Sequence, residues 1–208
     1  IQLLNCFTAD HPEWTLTELA EATGFLVSST HNMLSTFELG GLVARNPQTG
    51  RYRLGLKLLE YSNTISSSSN LLSIAKPYMN QITLDTGERC MLAQLYDDQV
   101  IYLGSSEPHS TMRNASVIGI CAPLYCTGVG KAILACLPAA QQDRIIKSGF
   151  QRFTAATICD ETQLRQELSV TLQRGYAIDN MEHEYGIKCV AVPLFNAQRE
   201  CFAAFSVT

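Results

Sequence analysis

The sequence predicts an α+β protein with two domains, an amino-terminal winged helix-turn-helix and a larger domain built on an antiparallel sheet. The chain has 208 residues, of which 46% are hydrophobic and 16% charged, a composition typical of one large or two small globular domains. A stretch rich in serine and asparagine, YSNTISSSSN, separates two hydrophobic patterns and indicates a connector. We therefore predict domains at residues 1–55 and 71–208, with a linker helix and connector at residues 56–70.

The charge of the chain limits the partners it can have. A formal net charge of −4 argues against a protein that coats nucleic acid or acidic membranes indiscriminately, so any DNA contact must come from a local basic patch. No run approaches the roughly 18 apolar residues that a membrane helix needs, and no charged-then-apolar signal segment opens the chain. The sequence predicts a cytoplasmic protein with no membrane partner.

The segment TLTELAEATG indicates the first helix and the turn of a helix-turn-helix. Thr15 and Glu18 have the spacing at which a hydroxyl and a carboxylate cap each other's backbone donors at a helix start. Ala20 is small enough to let a second helix cross closely, and Gly24 supplies the backbone freedom that a tight turn needs.

The next helix carries the predicted DNA-reading surface. Ser28 or Ser29 can cap its start. Its inward stripe consists of residues at helical spacing, namely Thr30, Met33, Leu34 and Phe37. The opposite face presents short polar side chains, namely Ser29, His31, Asn32 and Ser35. Because this helical half carries no lysine or arginine, phosphate attraction must come from elsewhere.

The wing that follows supplies positive charge. Residues 42–45 and 51–54 are predicted as two short strands joined by the turn NPQTG. Four basic residues and no acid lie between Gly41 and Leu59, whereas the preceding forty residues carry five acids and no lysine or arginine. We expect wing arginines to contact phosphates while the helix contacts base edges of double-stranded operator DNA. The predicted DNA-binding residues are Ser28, Ser29, His31, Asn32, Ser35, Arg45, Arg51 and Arg53. The alternative is a winged module that makes only protein contacts.

Beyond the wing, the pattern predicts helices around the connector and then alternating strands and helices. Leucines from Leu56 onward could form a helix that runs partway into the serines, and a second helical pattern follows from Leu71. MLAQLYDDQVIYLG is predicted as a strand hairpin, GKAILACL and ETQLRQELSVTLQRG as helices, and KCVAVPLFNAQRECFAAFSV as a closing hairpin. Strands that turn back on each other imply an antiparallel sheet covered by helices.

Two segments of the second domain could hold a ligand. In LYCTGVGKA, Thr127 can cap a helix whose bare amide groups favour an anion. The alternative is a glycine-eased strand-to-helix turn with Lys131 on the surface. The second segment, residues 175–196, brings together Asp179, Glu182, His183, Glu184 and Cys189. A Cys189 nucleophile with His183 as its base would make the domain a small-molecule enzyme. Against this pair, Cys189 stands directly before a buried apolar strand, which raises the pKa of a thiol. Residues 182–184 are more often a solvated loop.

The eight cysteines have no paired CxxC spacing and stand in apolar stretches, which predicts buried reduced thiols. A thiol-based redox sensor is the function that would use them. The four histidines do not fall at zinc-ligand spacing with these cysteines. The sequence predicts no metal site, no cofactor and no enzymatic activity.

Motifs along nearly the whole chain resemble the IclR family of bacterial transcriptional regulators. The most specific match runs from Gly175 to Asn196 and includes Asp179, Glu182, the Cys189-Val190-Ala191 triplet and Leu194-Phe195-Asn196. TELAEATG with SSTHNMLSTFELGGLV, then RYRLGLKLLE, then PLYCTGVGKAILA also match in order and spacing.

The resemblance implies a winged helix-turn-helix joined by a linker helix to a GAF-like effector-binding domain, in a homodimer or homotetramer. Small organic acids or aromatic compounds regulate promoter binding in that family. Carried over by position, the implied effector-binding residues are Gly128, Val129, Asp179, Ile187, Cys189, Ser206 and Thr208, with Ala122 and Asn114 as further lining. From these we expect amide and hydroxyl donors at one end of the pocket and a carboxylate at the other, which suits a small carboxylic or sugar acid.

The chain departs from the family pattern in two places. Asn32 stands where members commonly have an arginine after the histidine of the recognition helix, which leaves the target sequence open. The chain also begins inside what should be the first helix and stops at Thr208, where the family usually adds a carboxy-terminal helix.

Overall fold

The computed structural model describes residues 1–68, 70–108 and 118–208, with the side chain of residue 68 excepted. Asn114 therefore lies outside the described residues. The chain forms two compact units, one reaching to residue 69 and the other beginning at Asn70. The predicted division of the first unit into a DNA-binding domain and a linker remains a prediction.

The first unit is a winged helix-turn-helix. A 3₁₀ helix at Leu4–Cys6 precedes β1 (Glu13–Trp14), α1 (Leu16–Thr23), α2 (Val27–Leu39), β2 (Val43–Arg45), β3 (Tyr52–Leu54) and α3 (Lys57–Ser68). The strands pair antiparallel in the order β1-β3-β2. Strand β1 was not predicted, because two residues are too short for an alternating pattern. Its Trp14 pairs with Tyr52 and closes the core that Leu19, Leu34 and Val43 share.

The start of α1 matches its prediction, and the start of α2 does not. The Thr15 hydroxyl accepts from the Glu18 amide while the Glu18 carboxylate accepts from the Thr15 amide, which completes a capping box. Gly24 then ends α1 at φ 72°, a left-handed conformation that glycine adopts at little cost. The prediction that Ser28 or Ser29 caps α2 was wrong. Leu26 is the cap residue and makes no side-chain cap, so both serines lie inside the first turn.

The connector is largely helical. As predicted, a helix runs into the serines: α3 extends to Ser68, and α4 (Asn70–Thr86) follows with Pro77 inside it. In the second unit, α4 packs through Ala75 and Met79 on one face of an antiparallel sheet, against Cys90, Leu92 and Ala203.

The described strands of the second unit lie in the order β6-β5-β4-β9-β8-β7, and every neighbouring pair is antiparallel. They are β4 (Cys90–Tyr96), β5 (Gln99–Ser106), β6 (Cys121–Pro123), β7 (Ala177–Asn180), β8 (Lys188–Phe195) and β9 (Cys201–Val207). The two predicted hairpins are β4-β5 and β8-β9. The short strands β6 and β7 were not predicted.

Helices cover the sheet face opposite α4. They are α5 (Gly128–Cys136), α6 (Ala139–Lys147), which was not predicted, and α7 (Glu161–Arg174). Helix α5 belongs to the same core cluster as Ala93, Ala191 and Ala204, and α7 contributes Leu164 and Leu168 to it. Because α5 packs on the sheet on one side and α7 on the other, all its residues before Cys136 are buried. This packing brings the start of α5 against β7 and β8, where the candidate ligand site lies.

Candidate effector cavity and DNA-binding surface

The start of α5 is pressed against the ends of β7 and β8. A Cβ atom on Gly128 would lie 3.2 Å from Cys189 Cβ and 3.4 Å from Ala191 Cβ, so glycine permits this close approach. The Thr127 hydroxyl accepts from the Gly130 amide at 3.1 Å, which is the predicted cap. The same added Cβ would lie 3.6 Å from Asp179 Cβ. The helix start is therefore packed against the Asp179 side chain of β7.

A cavity of about 260 Å³ opens between this helix start and the sheet. The structure places all the implied effector residues around it, namely Gly128, Val129, Asp179, Ile187, Cys189, Ser206 and Thr208, together with Ala122. Sequence reasoning did not assign the remaining lining residues to a pocket: Arg89, Met91, Tyr102, Ile120, Thr127, His183 and Glu184. Several of these precede or occupy hairpin strands, where the alternating pattern could have identified inward-facing positions.

The expected polarity of the pocket was wrong in one respect. Asp179 lies at the helix start itself, not at the end opposite the amide donors, because its Cβ lies 3.6 Å from the position that a Cβ on Gly128 would take. Its Oδ1 accepts from the Glu182 amide at 2.8 Å. Burial is the main influence on the Asp179 carboxyl and raises its pKa, while backbone donors and Lys131 oppose the rise. A ligand carboxylate at the helix start would therefore lie close to this acid.

Lys131 is buried. The alternative interpretation of its segment, which placed Lys131 on the surface, was therefore wrong. Its side chain is 1% exposed, and Nζ lies 2.5 Å from Glu182 Oε1 and 3.6 Å from Glu167 Oε1. Glu182 is 6% exposed, so the interpretation of residues 182–184 as a solvated loop was wrong for it. Burial raises the pKa of the Glu182 carboxyl, and the Lys131 ammonium acts in the opposite direction. The pair joins α5 to the segment that follows β7.

That segment, residues 181–187, forms one wall of the cavity and is fixed by a neighbouring loop. The Thr154 hydroxyl donates to the Met181 carbonyl and the Thr157 hydroxyl to the Glu182 carbonyl, each at 2.6 Å. The His183 ring lies 4.7 Å from the Phe153 ring, centroid to centroid. The wall is therefore held by specific polar and aromatic contacts.

Both residues of the enzyme alternative, Cys189 and His183, line the cavity. Cys189 lies within β8, and its Sγ is 3.1 Å from Thr208 Oγ1. Burial lowers the pKa of His183, and the nearby Glu184 carboxylate acts in the opposite direction.

The cysteines are not uniformly buried, because Cys121 is exposed at the start of β6. Burial raises the pKa of Cys90 to about 11 and that of Cys126 to about 12. A hydrogen bond from Cys201 lowers the pKa of Cys136 to about 7. Neither Cys136 nor Cys201 lines the cavity.

In the first unit, α2 presents the polar face that was predicted for it. Thr30 and Leu34 are buried, while Ser28, Ser29, His31 and Asn32 are exposed and Ser35 is half-buried. The wing arginines differ in their surroundings. Arg45 and Arg53 are exposed, and Arg45 lies over the Tyr52 ring, with 5.6 Å between its guanidinium carbon and the ring centroid.

Arg51, by contrast, is held by an acid of α1. Its two terminal nitrogens each lie 3.3 Å from a different oxygen of Glu18, and one also donates to the Glu13 carbonyl. Glu18 is the same residue that caps α1, and the pKa of its carboxyl is lowered first by the Thr15 amide and then by Arg51. The fork ties the wing to the helix-turn-helix and occupies much of the hydrogen-bonding capacity of Arg51.

Among residues 1–68, 70–108 and 118–208, no group of three or more histidine, cysteine or acidic side chains is placed to hold a metal ion. No helix there is long and apolar enough to cross a membrane.

A helix-turn-helix with a basic wing, on a chain whose other unit contains a ligand-sized cavity, defines the class of ligand-responsive DNA-binding regulators. The family model of the IclR helix-turn-helix domain matches residues 1–47, and that of the bacterial transcriptional regulator IclR C-terminal domain matches residues 63–208. The chain belongs to the IclR family of bacterial transcriptional regulators.

Individual relatives cover the whole chain. The HTH-type transcriptional regulator XynR of Escherichia coli is 31% identical over 210 residues, which span 100% of this chain and 83% of XynR. The crystal structure of an IclR regulator from Alicyclobacillus acidocaldarius is 30% identical, with a TM-score of 0.87 over 99% of this chain and 84% of that one. A Microbacterium hydrocarbonoxydans homologue crystallised with 4-hydroxybenzoate shares the fold, with 22% identity and a TM-score of 0.82 over 99% and 85% of the two chains. These findings do not favour the redox-sensor or enzyme alternatives.

Proposed function

We propose that this regulator binds operator DNA through α2 and the wing, and that a small hydroxylated or keto acid in the cavity changes its DNA affinity. The main support for effector binding in the cavity is the Ser206 hydroxyl. The residue is 2% exposed, and within the described residues its Oγ has no hydrogen-bond partner. A buried polar atom without a partner costs about 1–3 kcal/mol, which a ligand that hydrogen-bonds to it recovers.

Other groups around the cavity support an acid with hydroxyl or keto substituents. Val129 is the second residue of α5, in the first turn, where backbone amides have no acceptor within the helix. The Thr208 hydroxyl lies beside Cys189, and Asp179 can accept from a ligand hydroxyl. The ligand of the Microbacterium homologue, 4-hydroxybenzoate, belongs to this chemical class and is therefore the first compound to test.

If the cavity binds such acids, they should raise the melting temperature of the protein. A ligand present at about 100 times its Kd should stabilise the folded protein by about 2.7 kcal/mol. Ser206→Ala removes a hydrogen bond to a charged group, which is worth about 1.5–3 kcal/mol, so its Kd for the same acid should rise about tenfold or more. The measurement is a melting-temperature screen followed by calorimetric titration. Ser73→Ala, an exposed serine of α4, is the matched control. Equal affinity in wild type and Ser206→Ala would place the ligand elsewhere.

The proposed DNA contacts are of two kinds: phosphate contacts that position the protein and base contacts that recognise the sequence. Arg53→Gln should weaken binding to all DNA sequences and reduce the slope of log K against log salt by about 0.9 for each phosphate that the protein no longer neutralises. Arg51→Gln should change the slope less, because Glu18 holds the Arg51 guanidinium. Substitutions at His31 or Asn32 should instead alter the preferred base, since asparagine pairs with adenine in the major groove. Binding isotherms over a salt series measure the first effect, and selection from random DNA measures the second.

An unchanged salt slope in Arg53→Gln would mean that the wing does not contact phosphates.

The proposal also includes a homodimer, or a homotetramer built from it, on a two-fold symmetric operator. One wing and an α2 face without basic residues contact few phosphates, and a second copy doubles those contacts.

A further inference from the structure

Arg89 and Asp179 lie at the two ends of a row of residues that neighbour one another across adjacent strands. The Thr208 amide donates to the Arg89 carbonyl, the Thr208 hydroxyl lies against Cys189, and Cys189 pairs with Asp179 across β8 and β7. Four neighbouring chain positions therefore run from Arg89 to Asp179. Three strand spacings separate the two Cα atoms by about 14 Å. Both side chains line the same cavity.

The two ends of this row carry opposite charge. The acids of the cavity lining, Asp179 and Glu184, belong to β7 and to the 181–187 wall, at the far end from Arg89. His183 lies in the same wall. The cavity therefore has an acidic end at β7 and a guanidinium at the β4 end.

Arg89 is held in place without using all its donors. Its side chain is 12% exposed, and Nε lies 2.5 Å from Glu107 Oε1. That ion pair occupies Nε, which has no other partner among the described residues. Glu107 fixes the position of the guanidinium, and the remaining N–H groups can bind a carboxylate in the bidentate geometry typical of arginine.

We propose that Arg89 is the specificity-determining anchor for the effector's carboxylate, and that a hydroxyl at the other end of the effector donates to Asp179. This inference rests on the proposed function and fixes the orientation of the ligand. A carboxylate at the α5 start would face Asp179, whereas a carboxylate at Arg89 lies far from that charge. The ligand class is a monocarboxylate with a hydroxyl distant from the acid group.

The test compares matched compounds that differ in one group. 4-Hydroxybenzoate is paired with 4-hydroxybenzamide, and D-gluconate with D-gluconamide, so that each amide lacks only the negative charge. Benzoate lacks only the hydroxyl of 4-hydroxybenzoate. Binding is measured by melting-temperature shift and calorimetric titration of wild type, Arg89→Gln, Arg89→Lys and Asp179→Asn. Arg144→Gln, which breaks an exposed pair with Asp98, is the control for loss of an arginine.

We expect wild type to bind at least one of the two acids about tenfold or more tightly than its amide, and Arg89→Gln to lose that preference while its amide affinity stays the same. Arg89→Lys should retain part of the preference. Asp179→Asn should lose the discrimination between 4-hydroxybenzoate and benzoate, which Arg89→Gln should keep. Arg144→Gln should behave as wild type.

Two kinds of result would overturn the inference. If wild type binds acid and amide equally, or if Arg89→Gln still prefers the acid, Arg89 is not the anchor. The proposed function survives that outcome provided that Ser206→Ala weakens whichever compound binds. If no acid or amide of the panel stabilises wild type at millimolar concentration, this inference and the small-acid effector both fail. Even if the Arg89 variants do not fold, equal binding of acid and amide by wild type would still overturn the inference.

Discussion

Replacing Lys131 with methionine is expected to lower the free energy of unfolding of the cavity-bearing unit by about 3–5 kcal/mol. Methionine fills much of the same volume but removes the ammonium that lies 2.5 Å from Glu182 Oε1. Glu182 would then be a buried carboxylate without a cation, and its Oε2 already lacks a hydrogen-bond partner among the described residues. Glu167, the second acid near Lys131, keeps its pair with Arg174 at 2.8 Å. The cost therefore arises at Glu182.

Urea unfolding followed by circular dichroism measures this effect. Lys147→Met, at an exposed lysine of α6, should leave stability nearly unchanged. The double variant Lys131→Met with Glu182→Met should recover most of the loss, because a buried ion pair can often be replaced by apolar side chains at little cost. A single variant within about 1 kcal/mol of wild type would mean that Glu182 takes up a proton or moves to solvent at little cost.

Local patterns were sufficient for most of the first unit. The capping box at Thr15 and Glu18, the turn at Gly24 and the inward stripe of α2 depend on neighbours a few residues away, so spacing alone predicts them. The serine cap of α2 failed because the helix begins at Val27, ahead of both Ser28 and Ser29. The pairing of Arg51 with Glu18 could not be predicted, since it joins residues 33 positions apart.

Residue patterns indicated two of the segments that line the cavity, but only the family resemblance joined them into one pocket, because the lining comes from segments far apart in the chain. Lys131 illustrates the limit. A lysine in a helix is usually exposed, and its burial follows from α5 being covered by both the sheet and α7. Arg89 was missed for a related reason. It stands just before β4, where a charged residue is ordinary, and the register with Thr208 that turns it toward the cavity appears only once the sheet is formed.

The second large effect expected is on operator binding. An acid that binds the cavity should change the operator affinity of wild type by about 5- to 150-fold, the range of typical coupling free energies. Asp179→Ala and Ser206→Ala should bind the operator as wild type does without the acid, because neither residue belongs to the unit that carries the helix-turn-helix. With the acid present, both variants should show little or no change. Arg53→Gln should bind DNA more weakly throughout and keep the same fold-change on adding the acid.

The most direct test of the account is therefore a titration of operator DNA, obtained by selection from random sequence, with and without the acid that stabilises the wild-type protein most. We expect the acid to shift the operator Kd of wild type and of Arg53→Gln, and to leave that of Ser206→Ala and Asp179→Ala unchanged. An acid that occupies the cavity by calorimetry and leaves the wild-type operator Kd unchanged would contradict it, as would an undiminished shift in both cavity variants.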